Sequence, residues 1–330
     1  MYAPYFNLSE SPFSITPNPG YFYMSEHHRE AFAHLFYGLR QDAGFVLLTG
    51  EVGAGKTTLC RCLMGSPPER VDVALILNPR ISEREFLGVI CDELHIEYPK
   101  SSTKQNRLDR LNKHLLQAHA NGRQTVLLID EAQTMSDKAL EQVRLLTNLE
   151  TAKHKLLQII LVGQPELIET LNKPGLYQLA QRITARYHLQ PLPVSDVGGY
   201  IRHRIETAGN RERIFTGAAI RRVAQFSNGI PRLINIICDR SLLGAYADEK
   251  TKVTASMVRS AAKQISGRHR GGWHTRPLLY ASVLAVVALL GVSVYYRVDP
   301  HGAGIVIENM QSKLTEWLAS IPGIRSNADG

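Results

Sequence analysis

Residues 50–57 read Gly-Glu-Val-Gly-Ala-Gly-Lys-Thr, directly after an apolar run from Phe45 to Thr49 and directly before a helical pattern from Thr58 to Met64. A glycine-rich turn between strand and helix gathers backbone N–H groups at the positive end of the helix, which makes a cradle for phosphate. Every fixed position of GxxxxGK[ST] is filled, so Gly50, Glu51, Val52, Gly53, Ala54, Gly55, Lys56, Thr57 and Thr58 are the candidate nucleotide-binding residues. Lys56 is expected to reach the β and γ phosphates, and the Thr57 hydroxyl to ligate Mg²⁺.

The surrounding pattern agrees with an α/β fold. Five short apolar segments read as strands: Phe45 to Thr49, Val73 to Leu77, Thr125 to Ile129, Leu156 to Val162 and Ala185 to Gln190. Helical patterns alternate with them, the signature of a parallel sheet with crossover helices. Ser82 and Glu85 are spaced as a capping box, and Ser136 as an N-cap for the helix carrying Leu140, Val143, Leu146 and Leu149. After about residue 192 only helical patterns remain, near 195–208, 216–227, 231–246 and 254–265, with Thr216 and Thr254 as expected N-caps. A second, helical domain is the natural reading.

Charge sharpens that division. Residues 1–190 hold 20 basic and 20 acidic side chains, residues 191–276 hold 15 and 6, and residues 277–330 hold 3 and 4. The net +8 therefore comes from one block, which suits nucleic acid, an anionic membrane surface or an acidic partner. With 44% hydrophobic and 21% charged residues, the 330-residue chain is globular rather than disordered. Cys60, Cys62, Cys91 and Cys238 form neither a CxxC pair nor a zinc-type cluster, so reduced thiols are expected. The opening MYAPYFNLSE has no basic segment leading into an apolar one, so no cleaved signal peptide is expected.

Pro277 to Tyr296 is 20 residues without a charge. As a helix it would span about 30 Å, the depth of a bilayer's hydrocarbon core. Tyr280, Tyr295, Tyr296 and Trp273 stand near its ends, as interfacial aromatics do. Lys263, Arg268, Arg270 and Arg276 precede it and Arg297 alone follows closely, which places residues 1–276 on the cytoplasmic side. In the short tail beyond, Met310, Leu314, Trp317 and Ile321 fall at helical spacing.

A second chemical element is TVLLIDEAQ, Thr125 to Gln133. It delivers Asp130 and Glu131 to the C-terminal edge of the sheet, where ligands bind in open α/β folds. Asp130 is expected to hold Mg²⁺ through water, and Glu131 to orient and deprotonate an attacking water. Gln164, at the end of IILVGQPEL, is placed to reach the γ-phosphate or that water. Arg182 and Arg186 in QRITARYHL, and Arg232 after Pro231 in NGIPRLINI, follow both nucleotide motifs in order.

Together these segments resemble the AAA+ ATPases of the general secretion pathway protein A type (GspA, also called ExeA), which stand close to the M protein of mannose-sensitive haemagglutinin pilus biogenesis. The resemblance covers roughly residues 1–267. It is carried by Met1, Tyr2, Phe6, Leu8, Pro12, Phe13 and Thr16 to Tyr23, and by HHREAFAHLFYGL, GFVLLTGEVGAGKTTLCR, LLIDEAQ, LVGQPEL, QRITARYHLQPL and NGIPRLINIICDRSLL. It implies that Gln164 is the sensor 1 residue, where many AAA+ proteins have Asn. Arg182 and Arg186 become the candidate arginine fingers, and Arg232 the sensor 2 arginine. The stretch Tyr21 to His28 is similar to one that lines the adenine pocket. The implied sheet order is 5-1-4-3-2, with the Walker A and Walker B strands flanking the sensor 1 strand.

The expected organisation is a P-loop ATPase core (1–190), a helical lid (191–267), a basic juxtamembrane linker (268–276), a transmembrane helix (277–296) and a short periplasmic tail (297–330). The larger members of the secretion family carry a peptidoglycan-binding domain after the membrane helix, and only residues 297–330 stand there in this chain. The expected activity is ATP hydrolysis with Mg²⁺ by a single-pass protein of the bacterial inner membrane, driving assembly of a type II secretion system or a type IV or MSHA pilus. Expected partners are further copies of the chain in a ring or other oligomer, an inner-membrane or periplasmic assembly protein, and the anionic membrane surface. Nucleic acid is not among them. The rivals are a DNA-associated AAA+ regulator, as the basic block allows, and a nucleotide-gated scaffold without turnover.

Overall fold

The structure is a computed structural model that describes residues 1–40, 45–65, 69–99 and 101–266. The expected juxtamembrane linker, transmembrane helix and tail lie outside the described residues. Among the described residues no helix is long and apolar enough to cross a membrane.

Five parallel strands form one sheet: β1 (Phe45–Gly50), β2 (Val71–Ile76), β3 (Gln124–Ile129), β4 (Leu157–Gly163) and β5 (Ala185–Leu189), in the spatial order β2-β3-β4-β1-β5. This is the order the resemblance implied, and β4 lies between the strands that lead to the phosphate loop and to Asp130. The register pairs Leu47 with Leu161 and Arg186, and Leu127 with Ile159. Strands β1 and β4 are buried along their whole length, which explains why they read as unbroken apolar runs. The edge strand β2 is half exposed and carries Asp72 in its run.

Alternation sends the strand side chains to two cores. Phe45, Leu47, Leu127, Ile129, Ile159 and Leu161 pack under α3 (Glu83–Glu93), α4 (Lys104–Ala120) and α5 (Asp137–Leu146), through Phe86, Ile90, Leu111, Leu115, Leu140 and Val143. Val46, Leu48, Val126, Leu128, Ile160 and Val162 pack under α1 (Glu26–Arg40) and α2 (Lys56–Gly65), through Ala31, Leu35, Leu39, Leu59 and Leu63. The helix starts follow their caps. Ser82 and Glu85 make both bonds of the capping box, Ser136 accepts from the Ala139 N–H, and Thr216 accepts from the Ala219 N–H. Two short helices, α6 (Glu166–Leu171) and α7 (Tyr177–Gln181), fill the β4–β5 connection.

The chain then leaves the sheet and forms α8 (Val194–Thr207), α9 (Gly217–Ser227), α10 (Pro231–Ala247) and α11 (Ala255–Ser266) around a third core. Their ranges match the helical patterns read from the sequence to within a residue or two. The N-terminal segment joins this core rather than the sheet: Tyr2, Phe6, Leu8, Phe13 and Tyr21 are buried among Val197, Ile201, Val223, Ile234 and Leu242. Polar bonds fasten it in place. Asn210 Nδ2 donates to the Phe6 carbonyl at 2.6 Å, Tyr2 donates to Asp239, and the buried Arg204 donates to the carbonyls of Pro12 and Ser14.

Gly229 fixes how the helical domain begins. Its φ is +74°, and a Cβ there would lie 2.0 Å from the Leu192 carbonyl oxygen. The close approach lets the Leu192 N–H donate to the Gly229 carbonyl at 2.9 Å, docking the α9–α10 turn on the segment that leaves β5. Only glycine tolerates both demands.

Candidate nucleotide site

The loop between β1 and α2 is built by glycines in left-handed backbone, Gly53 at φ +81° and Gly55 at φ +106°. Each also makes room for a neighbour. A Cβ on Gly53 would meet the Arg232 Cβ at 2.5 Å, and one on Gly55 would meet the His28 Nε2 at 2.9 Å. Arg232, in the first turn of α10, donates its backbone N–H to the Gly53 carbonyl at 3.2 Å. The loop is thus gripped from both sides, by α1 and by α10.

His28 was absent as an individual site residue from the sequence reading. Its Nε2 lies 3.1 Å from the Ala54 carbonyl oxygen, so that nitrogen carries the proton, and Nδ1 accepts from the Ser25 hydroxyl at 2.6 Å. Burial holds the imidazole below its ordinary pKa, against the pull of the Ala54 bond. A buried neutral histidine therefore pins the phosphate loop from 26 residues upstream, a contact that no local spacing encodes.

Lys56 is buried, and its Nζ donates to the Gly50 and Glu51 carbonyls at 2.7 and 3.0 Å. Burial pushes its ammonium below the ordinary lysine range while the charges of Glu131 and Asp130 oppose that shift. Thr57 donates its hydroxyl to Asp130 Oδ2 at 2.5 Å, and Asp130 Oδ1 accepts from the Glu131 N–H at 2.8 Å. Asp130 is almost wholly enclosed, and burial raises its carboxyl above the usual aspartate range. Two hard oxygen donors from two elements thus meet at one point, a donor set that suits Mg²⁺.

Glu131 takes the left-handed conformation, φ 52° and ψ 34°, rare for a residue with a side chain. The turn it starts returns Gln133 onto the glutamate: Gln133 Nε2 donates to Glu131 Oε2 at 2.6 Å. Gln164, at the end of β4, donates to the same oxygen at 3.3 Å, and its backbone N–H donates to Gln133 Oε1 at 3.1 Å. Lys56, Thr57, Asp130, Glu131 and Gln164 are therefore brought together as the spacing anticipated, and Gln133 joins them.

A cleft opens over this cluster. Val52, Gly53, Gly55, Lys56, Thr57, Thr58 and Glu131 line it from the sheet side, while Gly50, Glu51, Ala54, Asp130 and Gln164 do not line it. Tyr200, Arg204, Arg232 and Asn235 line it from the helical side, and the segment from Ser14 to Tyr23 closes it. Arg204 lies over the ring of Tyr21, 5.0 Å from its centroid. The stretch expected at an adenine pocket thus does border the cleft, through Tyr21, Phe22, Tyr23 and His28.

Arg182 and Arg186 do not line it. Arg182 donates to the Thr147 hydroxyl and to Asn148 Oδ1, beyond the end of α5. Arg186 is exposed on β5 and donates to the Ala180 carbonyl at 2.9 Å.

Comparison with known proteins agrees with this geometry. Residues 39–171 match the family described as AAA domain. The chain is 52% identical over 276 residues to General secretion pathway protein A of Aeromonas hydrophila, covering 83% of this chain and 50% of that protein. It is 27% identical over 207 residues to an uncharacterized HTH-type transcriptional regulator of Methanocaldococcus jannaschii, covering 61% of this chain and 49% of that protein. The chain spans about half the length of the curated relatives it matches. Among solved structures it is similar to Cdc6p from Pyrobaculum aerophilum, with TM-score 0.58 and 18% identity over 77% of this chain and 70% of that one. The ORC2 protein of Aeropyrum pernix matches with TM-score 0.58 and 16% identity over 77% and 71%. At such identities the two structures speak for the fold alone.

Proposed function

We propose, for a chain that carries an AAA domain and whose resemblance to general secretion pathway protein A extends over most of its length, that it is an ATPase that binds and hydrolyses ATP with Mg²⁺. The observation that carries the proposal is the convergence of Lys56, Thr57, Asp130, Glu131 and Gln164 at the mouth of one phosphate loop.

The roles follow from that placement. ATP with Mg²⁺ supplies the reactive phosphorus and neutralises charge on the phosphate oxygens when bound. Backbone N–H groups of the loop cradle the phosphates, and Lys56 exchanges loop carbonyls for phosphate oxygens. Thr57 and Asp130 would hold the metal. Glu131, one bond further along the chain, takes the proton of the attacking water. Gln164 reaches toward the same water or the γ-phosphate, and Arg232 acts from the lid. Arg182 and Arg186, outside their own cleft, are offered to the site of a neighbouring copy, which implies an oligomer.

The wider reading is a motor anchored by the 277–296 run in a bacterial inner membrane, driving assembly of a type II secretion system or a type IV or MSHA pilus through a partner in the envelope. The sequence relation to general secretion pathway protein A supports it, as does the uncharged length of that run. A second reading, a DNA-associated module, draws on a groove in the helical domain lined by Arg202, Arg211 and Arg213. Among the described residues these three have no carboxylate within 4 Å.

Glu131→Gln tests the centre of the proposal. Nucleotide binding should persist while phosphate release falls by about 100-fold or more. Release at the unaltered rate would remove Glu131 as the base.

A further inference from the structure

We infer that Gln133 is a positioning residue for hydrolysis, holding the Glu131 carboxylate in place and tying it to the end of β4. The inference rests on the reading of Glu131 as the base.

Three observations converge on it. First, Gln133 uses both ends of its amide. Nε2 donates to Glu131 Oε2 at 2.6 Å, while Oε1 accepts the Gln164 backbone N–H at 3.1 Å. One planar group thus joins the carboxylate to the backbone of the next strand. Second, the fold makes room for this bridge. Gly163 ends β4 beside it, and a Cβ there would stand 2.9 Å from Gln133 Oε1 and 2.8 Å from Leu167 Cδ2. Third, Glu131 has a left-handed backbone, and its carbonyl accepts from both the N–H and the hydroxyl of Thr134 at 2.9 Å, closing the turn that aims Gln133 backward. A strained residue persists only when its surroundings over-determine it.

The division of labour between the two oxygens is the mechanistic point. Both amide donors converge on Oε2, and among the described residues no donor reaches Oε1. Oε1 is left to accept a proton from water. Gln164 is the longer of the two contacts, so if its amide turns to the γ-phosphate, Gln133 remains as the holder of the carboxylate. A base displaced by about 1 Å can lose a hundredfold in rate while ground-state binding hardly changes.

Two substitutions separate the grip on Glu131 from the clamp on β4. Gln133→Met keeps the length and removes both bonds. Gln133→Glu keeps an acceptor for the Gln164 N–H and replaces the donor to Glu131 with an oxygen. Steady-state phosphate release gives kcat, titration with a fluorescent ATP analogue gives Kd, and thermal melting reports the fold, all on the full chain. Both variants should lose about 10- to 100-fold in kcat, with Kd within about twofold and the melting temperature kept. Wild-type kcat in Gln133→Glu would overturn the inference, since the clamp alone would then suffice. A loss of kcat in both variants that tracks a loss of affinity or of the fold would overturn it as well. Glu131→Gln run alongside distinguishes the two failures. If it turns over normally, the base assignment fails; if it is inactive while the Gln133 variants are unimpaired, only the positioning role fails.

Discussion

His28 shows how a single buried side chain couples the site to pH. Its imidazole is neutral in the fold, kept so by burial, with His27 nearby adding to the same shift. The unfolded chain, with an ordinary imidazole near pH 6.5, takes up the proton first as pH falls. The stability that neutral His28 contributes is therefore present above about pH 6.5 and is lost as pH drops through that value toward the lowered one. His28→Gln, whose amide can still donate to the Ala54 carbonyl, should flatten the decline of melting temperature below about pH 6.5. An unchanged slope would mean that another group titrates there. Residue-scale legibility divides along the same line. Lys56, Thr57, Asp130 and Glu131 were readable because each sits at a fixed offset within a short motif. His28 was not, because its partner is distant in sequence, and Gln133 lay inside a motif without a role because the bridge to Gln164 needs the strands side by side.

Among the elements, the five strands, α2, α3, α5 and the four helices after residue 192 were legible, since apolar period and cap residues are local signals, whereas α1, α4, α6 and α7 were not placed. Strand ends moved by one or two residues, and Val71 and Asp72 were missed at the start of β2, where an edge strand shows mixed polarity. The order of the strands came from the resemblance and not from any periodicity. The association of residues 2–21 with α8 to α11 was not legible at all. The segment has no helical or strand period, and its buried residues Tyr2, Phe6, Leu8 and Phe13 are spaced irregularly. The turn between α9 and α10 gives the sharpest test at this scale. Gly229→Ala must relieve both a positive φ and a 2.0 Å approach to Leu192, by moving the helical domain away from the segment leaving β5. We expect a loss of more than about 3 kcal/mol in urea unfolding, at the upper end of what single substitutions do. A loss below about 1 kcal/mol would show that the turn can rearrange freely.

For the whole molecule, the cleft is assembled from three stretches of chain: the motif loops of the sheet, the lid helices and the N-terminal segment. The candidate arginine fingers Arg182 and Arg186 stay outside it, held by Thr147, Asn148 and Ala180. On the proposed function a single copy would present a site without an arginine finger, and phosphate release per subunit should rise as protein concentration is raised from nanomolar to micromolar. Turnover independent of concentration would mean that one copy is sufficient.

The burial of Tyr2 to Phe13 in the helical core also sets an order of events during synthesis. These residues leave the ribosome before the sheet does, yet the surfaces that cover them, on α8 to α11, are made after it: Tyr2 bonds to Asp239, 237 positions later. At about 5–20 residues per second the delay is roughly 10–50 s. The sheet can form in that interval, while three aromatic rings and a leucine wait uncovered, a natural foothold for a ribosome-associated chaperone. The stretch from Tyr2 to Phe13 is thus made before the sheet and covered only after it.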